Sequence, residues 1–190
     1  ENAARVVAAT GGATNAALHL PAMAHEAGIA FDLHDVAEIF KSTPYIADLK
    51  PGGKYVAKDM HEAGGVYMAM KTLLDGGFID PEPLTVTGKT LGENIEEVTW
   101  NPDQKVFYEV SNPITPTGGV VGLKGSLAPD GAIVKVAGMA RQQFTGPARV
   151  FECEEEAFAA VEARDHAAER IEEEQETTPA DLLEQLDADP

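Results

Sequence analysis

The sequence predicts an α/β fold in which a helix-rich part, up to about residue 110, is followed by the start of a β-rich part and then by an acidic helical tail. Over residues 1–80, apolar positions recur at helical spacing between glycine and proline breaks. From residue 106, short apolar runs alternate with turn residues, which is typical of strands. From Glu152 to Pro190 there are 15 acidic and 2 basic residues, a balance of −13, whereas residues 1–151 carry 17 and 12, a balance of −5.

The first two predicted helices lie on either side of a glycine pair. Residues 3–9 have a helical composition, and Gly11-Gly12 ends that run. Thr14 or Asn15 can then cap a second helix that reaches about Gly28, because both side chains suit the N-cap position.

Two further helices are predicted before residue 80. Asp32 can cap the helix Asp35–Lys41, which carries its apolar residues on one face. A longer helix runs from about Lys58 to Leu74 and is interrupted by Gly64-Gly65. We expect Gly76 to follow its C-cap, a position that favours glycine.

The pattern changes after Pro83. Leu84–Thr87 alternates like a short strand, and Leu91–Val98 is predicted to be one more helix. Pro129-Asp130-Gly131 is a strong turn sequence, so we expect it to join two strands into a hairpin. The predicted strands of the second part are Val106–Val110, Val120–Leu123, Ala132–Val136 and Ala148–Phe151.

The composition argues against several classes of protein. No apolar run approaches the ~20 residues that cross a bilayer, and no basic stretch followed by an apolar one marks a signal peptide. We therefore expect a cytoplasmic protein with no membrane partner. A net charge of −18 makes nucleic acid a poor partner. The single cysteine, Cys153, cannot by itself hold an iron–sulfur cluster or a structural zinc ion.

Two glycine-bearing loops are the candidates for a ligand site. The first, residues 11–15, opens a helix, so its backbone N–H groups could hold an anion, although a tight turn with an N-cap explains the same residues. The second, residues 112–119, contains two prolines and a glycine pair, and suits a rigid connection as well as a ligand loop. His19 lies one turn after Asn15 on the same helix face. The residues themselves indicate no reaction.

These loops and the segments between them resemble the dihydroxy-acid and phosphogluconate dehydratase family. The resemblance covers about residues 1–163 and keeps the family's order. The matching segments are GGATNAALHL (11–20), ADLKPGGKYV (47–56), AGGVYMAMKTLLDGG (63–77), LTVTGKTLGEN (84–94), NPITPTGG (112–119), LKGSLAPDGAIVKVAG (123–138) and FTGPARVFECEEEAFAA (144–160). The run Asn15–Leu20 is closer to the dihydroxy-acid branch than to the sugar-acid branches.

The resemblance implies a hydro-lyase that takes 2,3-dihydroxy-3-methyl acids to 2-keto acids in branched-chain amino-acid biosynthesis. Such enzymes use an iron–sulfur cluster as a Lewis acid and Mg²⁺ to hold the substrate carboxylate. The family's cluster cysteines and magnesium ligands precede the Gly11–Asn15 motif. We therefore expect an internal fragment that is inactive alone, binds neither cofactor and carries no catalytic residue.

The same resemblance divides the chain. Residues 1–110 correspond to the C-terminal part of the first dehydratase domain, and residues 111–163 to the start of the β-rich second domain. Residues 164–190 form an acidic helical tail outside the family pattern. A chain divided in this way leaves strand edges unpaired, so we expect marginal stability, with a homodimer as one way to cover them.

The residues that carry over from the family are supporting ones. We expect them to line the substrate side of the first domain or the crossing to the second. They are Gly12, Thr14, Asn15, His19, Thr117, Gly118 and Gly119.

Two other functions stay open. The chain could come from a sugar-acid dehydratase of the same family, acting on arabinonate, xylonate or phosphogluconate. It could also be a non-enzymatic truncated product whose acidic tail binds a partner.

Overall fold

The computed structural model describes residues 1–139, 145 and 149–163, which fall into two compact units, Glu1–Gln142 and Gln143–Pro190. The first unit contains six helices and then one antiparallel hairpin among its described residues, so a helix-rich part does precede a β part. The described residues of the second unit include a helix at 154–163, α7. The elements of the first unit are α1 (Asn2–Ala9), α2 (Ala16–Glu26), α3 (Leu33–Lys41), α4 (Ala57–Glu62), α5 (Gly65–Asp75), α6 (Leu91–Ile95), β1 (Val120–Gly125) and β2 (Ala128–Lys135).

The core of the first unit is built from three apolar clusters. The largest joins α1, α3 and the first residue of β1 through Ala8, Phe40 and Val120, which are almost completely buried. A second lies beneath α5 and a third between α1, α5 and α6. The strand β1 can lie against α3 because Gly122 faces Ala37, and a Cβ at position 122 would lie too close to the Ala37 Cβ.

Helix α3 forms as the sequence predicts. The Asp32 carboxylate accepts hydrogen bonds from the backbone N–H groups of His34 (2.7 Å) and Asp35 (3.1 Å). The Asp35 carboxylate accepts in return from the Asp32 N–H (2.9 Å), which completes a capping box. Val36 and Phe40 are fully buried on the inner face.

The predicted cap of α2 is wrong. Asn15 stands at the N-cap position, but its side chain makes no capping bond and its backbone is already helical (φ −57°, ψ −31°). The reason is that the first turn closes on backbone carbonyls: the N–H groups of Ala16 and Ala17 donate to the Ala13 and Thr14 carbonyls at 3.0 and 3.1 Å. No N–H donor of that turn therefore needs a side-chain partner.

The long helix predicted after Lys58 is two helices, α4 and α5, broken at Gly64-Gly65 as expected. Its C-terminal end was misplaced by one residue. Gly76 is the C-cap itself and keeps a right-handed backbone, whereas Gly77 takes the positive φ (77°).

The predicted hairpin exists, but its turn was misplaced. The pairing of Gly125 with Ala128 closes the hairpin through Ser126-Leu127, and Pro129-Asp130-Gly131 lies inside β2. Between the Leu123–Ala132 and Gly125–Ala128 pairs the register shifts, so the turn-forming residues are accommodated as a bulge.

Three other predicted strands do not form among the described residues. Leu84 and Phe107 each make only one isolated bridge among the described residues, to Thr90 and Ala47, respectively. The described residues at 149–151 have no strand assignment, and α6 ends at Ile95 instead of Val98. The acidic helical tail at 164–190 lies outside the described residues.

Candidate functional site

The two glycine loops, although more than 100 residues apart in sequence, meet in the first unit. The Gly119 N–H donates to the Ala8 carbonyl at 3.3 Å, and the Gly118 N–H donates to the Phe40 carbonyl at 2.8 Å. A Cβ placed on Gly119 would lie 2.7 Å from the Gly11 Cα, so only glycine allows this approach. The first loop and the second loop thus form one structure.

Tyr45 connects both loops. Its N–H donates to the Thr115 carbonyl (3.0 Å), and its carbonyl accepts from the Ile114 N–H (2.9 Å), which holds the second loop. Its ring lies against Gly11 of the first loop: the ring carbon Cε2 is 3.1 Å from where a Gly11 Cβ would stand.

A cavity of about 540 Å³ opens between the second loop, the segment after β2 and the loop that follows Tyr45. This volume is within the ~300–1,000 Å³ range of small-molecule sites. Its lining combines a phenol, a carboxylate and two threonines with aliphatic side chains. The lining residues are Tyr45, Asp48, Gly52, Ile114, Thr115, Pro116, Thr117, Gly119, Val121, Val136, Ala137, Gly138 and Met139.

Lysine 135 fixes the first loop to the hairpin. The Lys135 Nζ donates to the Gly12 carbonyl at 2.8 Å across 123 residues of sequence. Beside it, the Gly119 carbonyl accepts from the N–H groups of Val136 and Ala137 at 2.9 and 3.0 Å. Side-chain and backbone bonds together therefore hold the cavity wall in place.

The hydroxyl of Tyr45 is the polar atom of this site that lacks a partner. Tyr45 is 3% exposed, and among the described residues its Oη is the one buried side-chain polar atom without a hydrogen bond. Burial, and then the nearby Asp48 carboxylate, raise the pKa of Tyr45 above its usual value. The Leu49 N–H acts in the opposite direction and lowers the pKa in part. That N–H also donates a hydrogen bond to the Ala47 carbonyl at 2.9 Å. The phenol is therefore protonated at neutral pH and is a hydrogen-bond donor.

Comparison with known proteins identifies the family. Residues 1–94 match the family model described as dihydroxy-acid/6-phosphogluconate dehydratase N-terminal, and residues 105–174 match the model described as dihydroxy-acid/6-phosphogluconate dehydratase C-terminal. The chain belongs to this family. The resemblance seen in the sequence is confirmed, while the boundaries proposed at residues 110 and 163 stay predictions.

Curated relatives within the dehydratase family are similar along most of the chain. The dihydroxy-acid dehydratase of Parvibaculum lavamentivorans is 68% identical over 168 residues, which is 87% of this chain and 29% of the relative. Dihydroxy-acid dehydratase 2 of Bradyrhizobium diazoefficiens is 68% identical over 164 residues, 86% of this chain and 29% of the relative. The dihydroxy-acid dehydratase of Sulfolobus acidocaldarius is 49% identical over 167 residues, which is 87% of this chain and 30% of the relative. The chain thus spans less than a third of the length of these three relatives.

The seven residues carried over from the family occupy three different environments. Thr117 and Gly119 line the cavity. Gly12 and Gly118 lie behind its wall, where a Cβ would meet Val120 Cγ2 at 2.7 Å and Ala8 Cβ at 2.9 Å, respectively. The side chains of Thr14, Asn15 and His19 are exposed, are not among the lining residues, and make no hydrogen bond within residues 1–139.

The described residues do not suit the two cofactors that the dehydratase family implies. Within residues 1–139, 145 and 149–163 there is no group of three or more His, Cys, Asp or Glu side chains that could hold a metal ion. Cys153 is exposed and is the only cysteine of the sequence. These residues therefore lack the set of cysteine ligands that an iron–sulfur cluster needs. In the same part of the chain, no helix has the length and apolarity needed to cross a membrane.

A larger crevice, about 740 Å³, lies elsewhere in the first unit, beside α5. It contains none of the seven family residues, and two of its charged side chains, Lys71 and Asp75, already pair with each other. Trp100 lines it and is partly exposed. We regard the cavity beside the second glycine loop as the candidate site because Tyr45, whose buried hydroxyl makes no hydrogen bond among the described residues, lies in its wall.

Four residues of the site were not found from the sequence. Tyr45 lies outside the segments that resemble the family, and Asp48 and Gly52 lie within one of them but were given no role. Lys135 reaches the first loop through a fold-dependent contact. The family resemblance of the segment 47–56 was the available signal for Asp48 and Gly52, but the resemblance implied no role for either residue.

Proposed function

We propose that this chain is part of a dihydroxy-acid dehydratase, a hydro-lyase that takes 2,3-dihydroxy-3-methyl acids to 2-keto acids. The observation that supports the proposal is the 68% identity to the Parvibaculum lavamentivorans dihydroxy-acid dehydratase over 168 residues. In this proposal, the cavity beside the second glycine loop is its substrate side. Aliphatic side chains such as Ile114 and Val121 suit a branched carbon chain, and Thr115 and Thr117 suit its hydroxyl groups.

Four of the seven family residues act in this proposal by shaping the wall. Gly118 and Gly119 allow the second loop to lie on the first, and Gly12 presents its carbonyl to Lys135. Thr117 lies in the wall itself. The side chains of Thr14, Asn15 and His19 are exposed and have no role in that wall. In this proposal the iron–sulfur cluster and Mg²⁺ belong to the whole enzyme, since the described residues hold no group of three or more possible metal-ligating side chains.

The chain alone is therefore expected to bind but not to dehydrate. The direct test is formation of 2-keto acid from 2,3-dihydroxy-3-methylbutanoate by the purified chain, after anaerobic iron–sulfur reconstitution and with Mg²⁺ present. The expected rate is the background rate. Stoichiometric iron–sulfur together with turnover would contradict the assignment of this chain as a partial, supporting segment.

A segment exchange tests the substrate class. Residues 1–160 of this chain replace the matching segment of the Parvibaculum lavamentivorans enzyme, and the chimera is assayed on 2,3-dihydroxy-3-methylbutanoate, arabinonate and 6-phosphogluconate. The expected result is retained dehydration of the branched acid and no gain on the sugar acids. The matched control carries the same segment from a sugar-acid dehydratase. A chimera that loses the branched acid and gains a sugar acid would support the sugar-acid alternative instead.

A further inference from the structure

Helix α2 lacks a charged face, yet it lies on the surface of the first unit. Its first ten residues, Ala16–His25, contain no Asp, Glu, Lys or Arg. Only Ala17 of its 11 residues is buried. The side chains of Leu18 and Met23 are 72% and 60% exposed, respectively. A helix without a charged face is normally covered by protein, so the exposure of α2 calls for an explanation.

The exposed apolar surface of α2 is broad and includes a groove. Leu18 and Met23 are five residues apart, so roughly 140° separates their side chains around the helix axis. A groove of about 130 Å³ lies between α1 and α2, and Leu20, Ala24 and Phe31 are among its lining residues. This volume is below the ~300–1,000 Å³ of small-molecule sites. The groove therefore suits one aliphatic side chain of a protein better than it suits a ligand.

The lengths of the relatives indicate which protein covers α2. The matched segment is only 29–30% of three curated dehydratases, so more than two thirds of each has no counterpart in this chain. A second copy of this chain is a poorer partner, because two copies with a net charge of −18 each repel one another. A segment of the same polypeptide is held near α2 by covalent connection, so it docks without the entropy cost of association.

We infer that α2 and the groove beside it form a docking surface for the part of a dehydratase polypeptide that has no counterpart in this chain. An aliphatic side chain of that part lies in the groove, and Leu18 and Met23 are covered on either side of it. The inference rests on the proposed function only in taking this chain as a segment of a longer dehydratase. It does not depend on the substrate class.

The test makes one double substitution in two contexts. Leu18→Gln with Met23→Gln introduces polar side chains that suit a helix equally well. In the full chain by itself the Tm should change by no more than about 1 °C, because both positions are exposed. In the chimera that carries residues 1–160 within the Parvibaculum lavamentivorans enzyme, the Tm should fall by about 5 °C, because the new amides are buried without partners. Lys58→Gln is the control: the Lys58 side chain is 81% exposed, and its substitution should change neither Tm.

Hydrogen exchange of the α2 backbone, followed by mass spectrometry, gives a second measurement. The amides of residues 16–26 should exchange at least about tenfold more slowly in the chimera than in the chain by itself, because a covered helix opens less often. Should the chimera fail to fold, the double substitution is made in the Parvibaculum lavamentivorans enzyme itself, at the positions aligned with Leu18 and Met23. The same fall in Tm is expected there.

The outcomes separate this inference from the proposed function. A chimera that dehydrates 2,3-dihydroxy-3-methylbutanoate but keeps its Tm after the double substitution would overturn the inference and leave the proposed function standing. A fall in Tm in a chimera that acts only on a sugar acid would support the docking surface and contradict the proposed substrate. A fall in the Tm of the chain by itself would show that another part of this chain or a second copy already covers α2, and would also overturn the inference. Sedimentation velocity distinguishes these two cases.

Discussion

The loop at Gly11-Gly12 and the loop at Gly118-Gly119 contact each other, yet their glycines differ in backbone conformation. Gly11 and Gly12 have positive φ values of 89° and 65°, which side chains rarely adopt. Gly118 and Gly119 have ordinary φ values, but a Cβ on either would lie less than 3 Å from neighbouring atoms. The second pair serves clearance alone, whereas the first pair serves the backbone conformation, with clearance from Val120 added at Gly12. A similar sequence signal therefore has two physical causes, and substitutions can tell them apart.

The largest effect is expected at Gly119. A Cβ there would lie 2.5 Å from the Gly11 carbonyl oxygen and 2.7 Å from the Gly11 Cα, which are backbone atoms that cannot rotate away. Gly119→Ala should force the loops apart and lower the free energy of unfolding by about 3 kcal/mol, as measured by urea denaturation. Gly125→Ala is the control, since nothing lies within 4 Å of its Cβ position. Equal effects at both positions would refute the clearance argument.

A smaller effect is expected at Gly12, where conformation and a contact with a side chain act together. Gly28 has a similar φ (70°) but open space around its Cβ position, so Gly28→Ala should cost about 1 kcal/mol from conformation alone. Gly12→Ala adds a contact at 2.7 Å with the Val120 Cγ2 and should cost about 2 kcal/mol. Urea denaturation of the pair measures the difference. If Gly28→Ala proves the more costly substitution, the contact with Val120 plays no part.

The next effect concerns the bond that joins the first loop to the hairpin. Lys135→Met removes the donor to the Gly12 carbonyl and should lower the free energy of unfolding by about 1 kcal/mol. Lys124→Met is the control, because Lys124 is an exposed lysine of the same hairpin. Thermal unfolding of the two variants side by side checks the prediction. Indistinguishable Tm values would mean that the backbone bonds alone hold the loop.

Local signals in the sequence were enough where the structure depends on local contacts. Asp32 and the apolar residues Val36 and Phe40 predict α3 because a cap and one helix face are properties of about ten consecutive residues. The hairpin strands were found in the same way, but not their turn. The position of the turn depends on the pairing of Gly125 with Ala128 and on the bulge beside it. A four-residue turn pattern in the sequence does not show which residues of the two strands pair.

The candidate site depended on long-range contacts, so less of it could be predicted. Family resemblance pointed to both loops and therefore to Thr117 and Gly119, which do line the cavity. It could not show that the loops meet, because that follows from the contact of Gly119 with Gly11 across more than 100 residues. Tyr45 carries no local signal at all: its importance comes from burial and from an unpaired hydroxyl, which only the folded structure reveals.

The smallest predicted effect compares the starts of α2 and α3, since both were predicted to be capped and only one is. Hydrogen bonds from the Asp35 and His34 N–H groups hold the pKa of Asp32 below its usual value of 3.8. A carboxylate with a lowered pKa stabilises the fold above its unfolded pKa, and this contribution is lost as the pH falls through the folded pKa. At pH 6, Asp32→Ala should therefore lower the Tm by roughly 2–4 °C, whereas Asn15→Ala should leave it unchanged because Asn15 makes no capping bond. The Asp32→Ala difference should shrink as the pH falls below 3.8, and a difference that persists at pH 2 would show that the carboxylate charge does not hold this helix start.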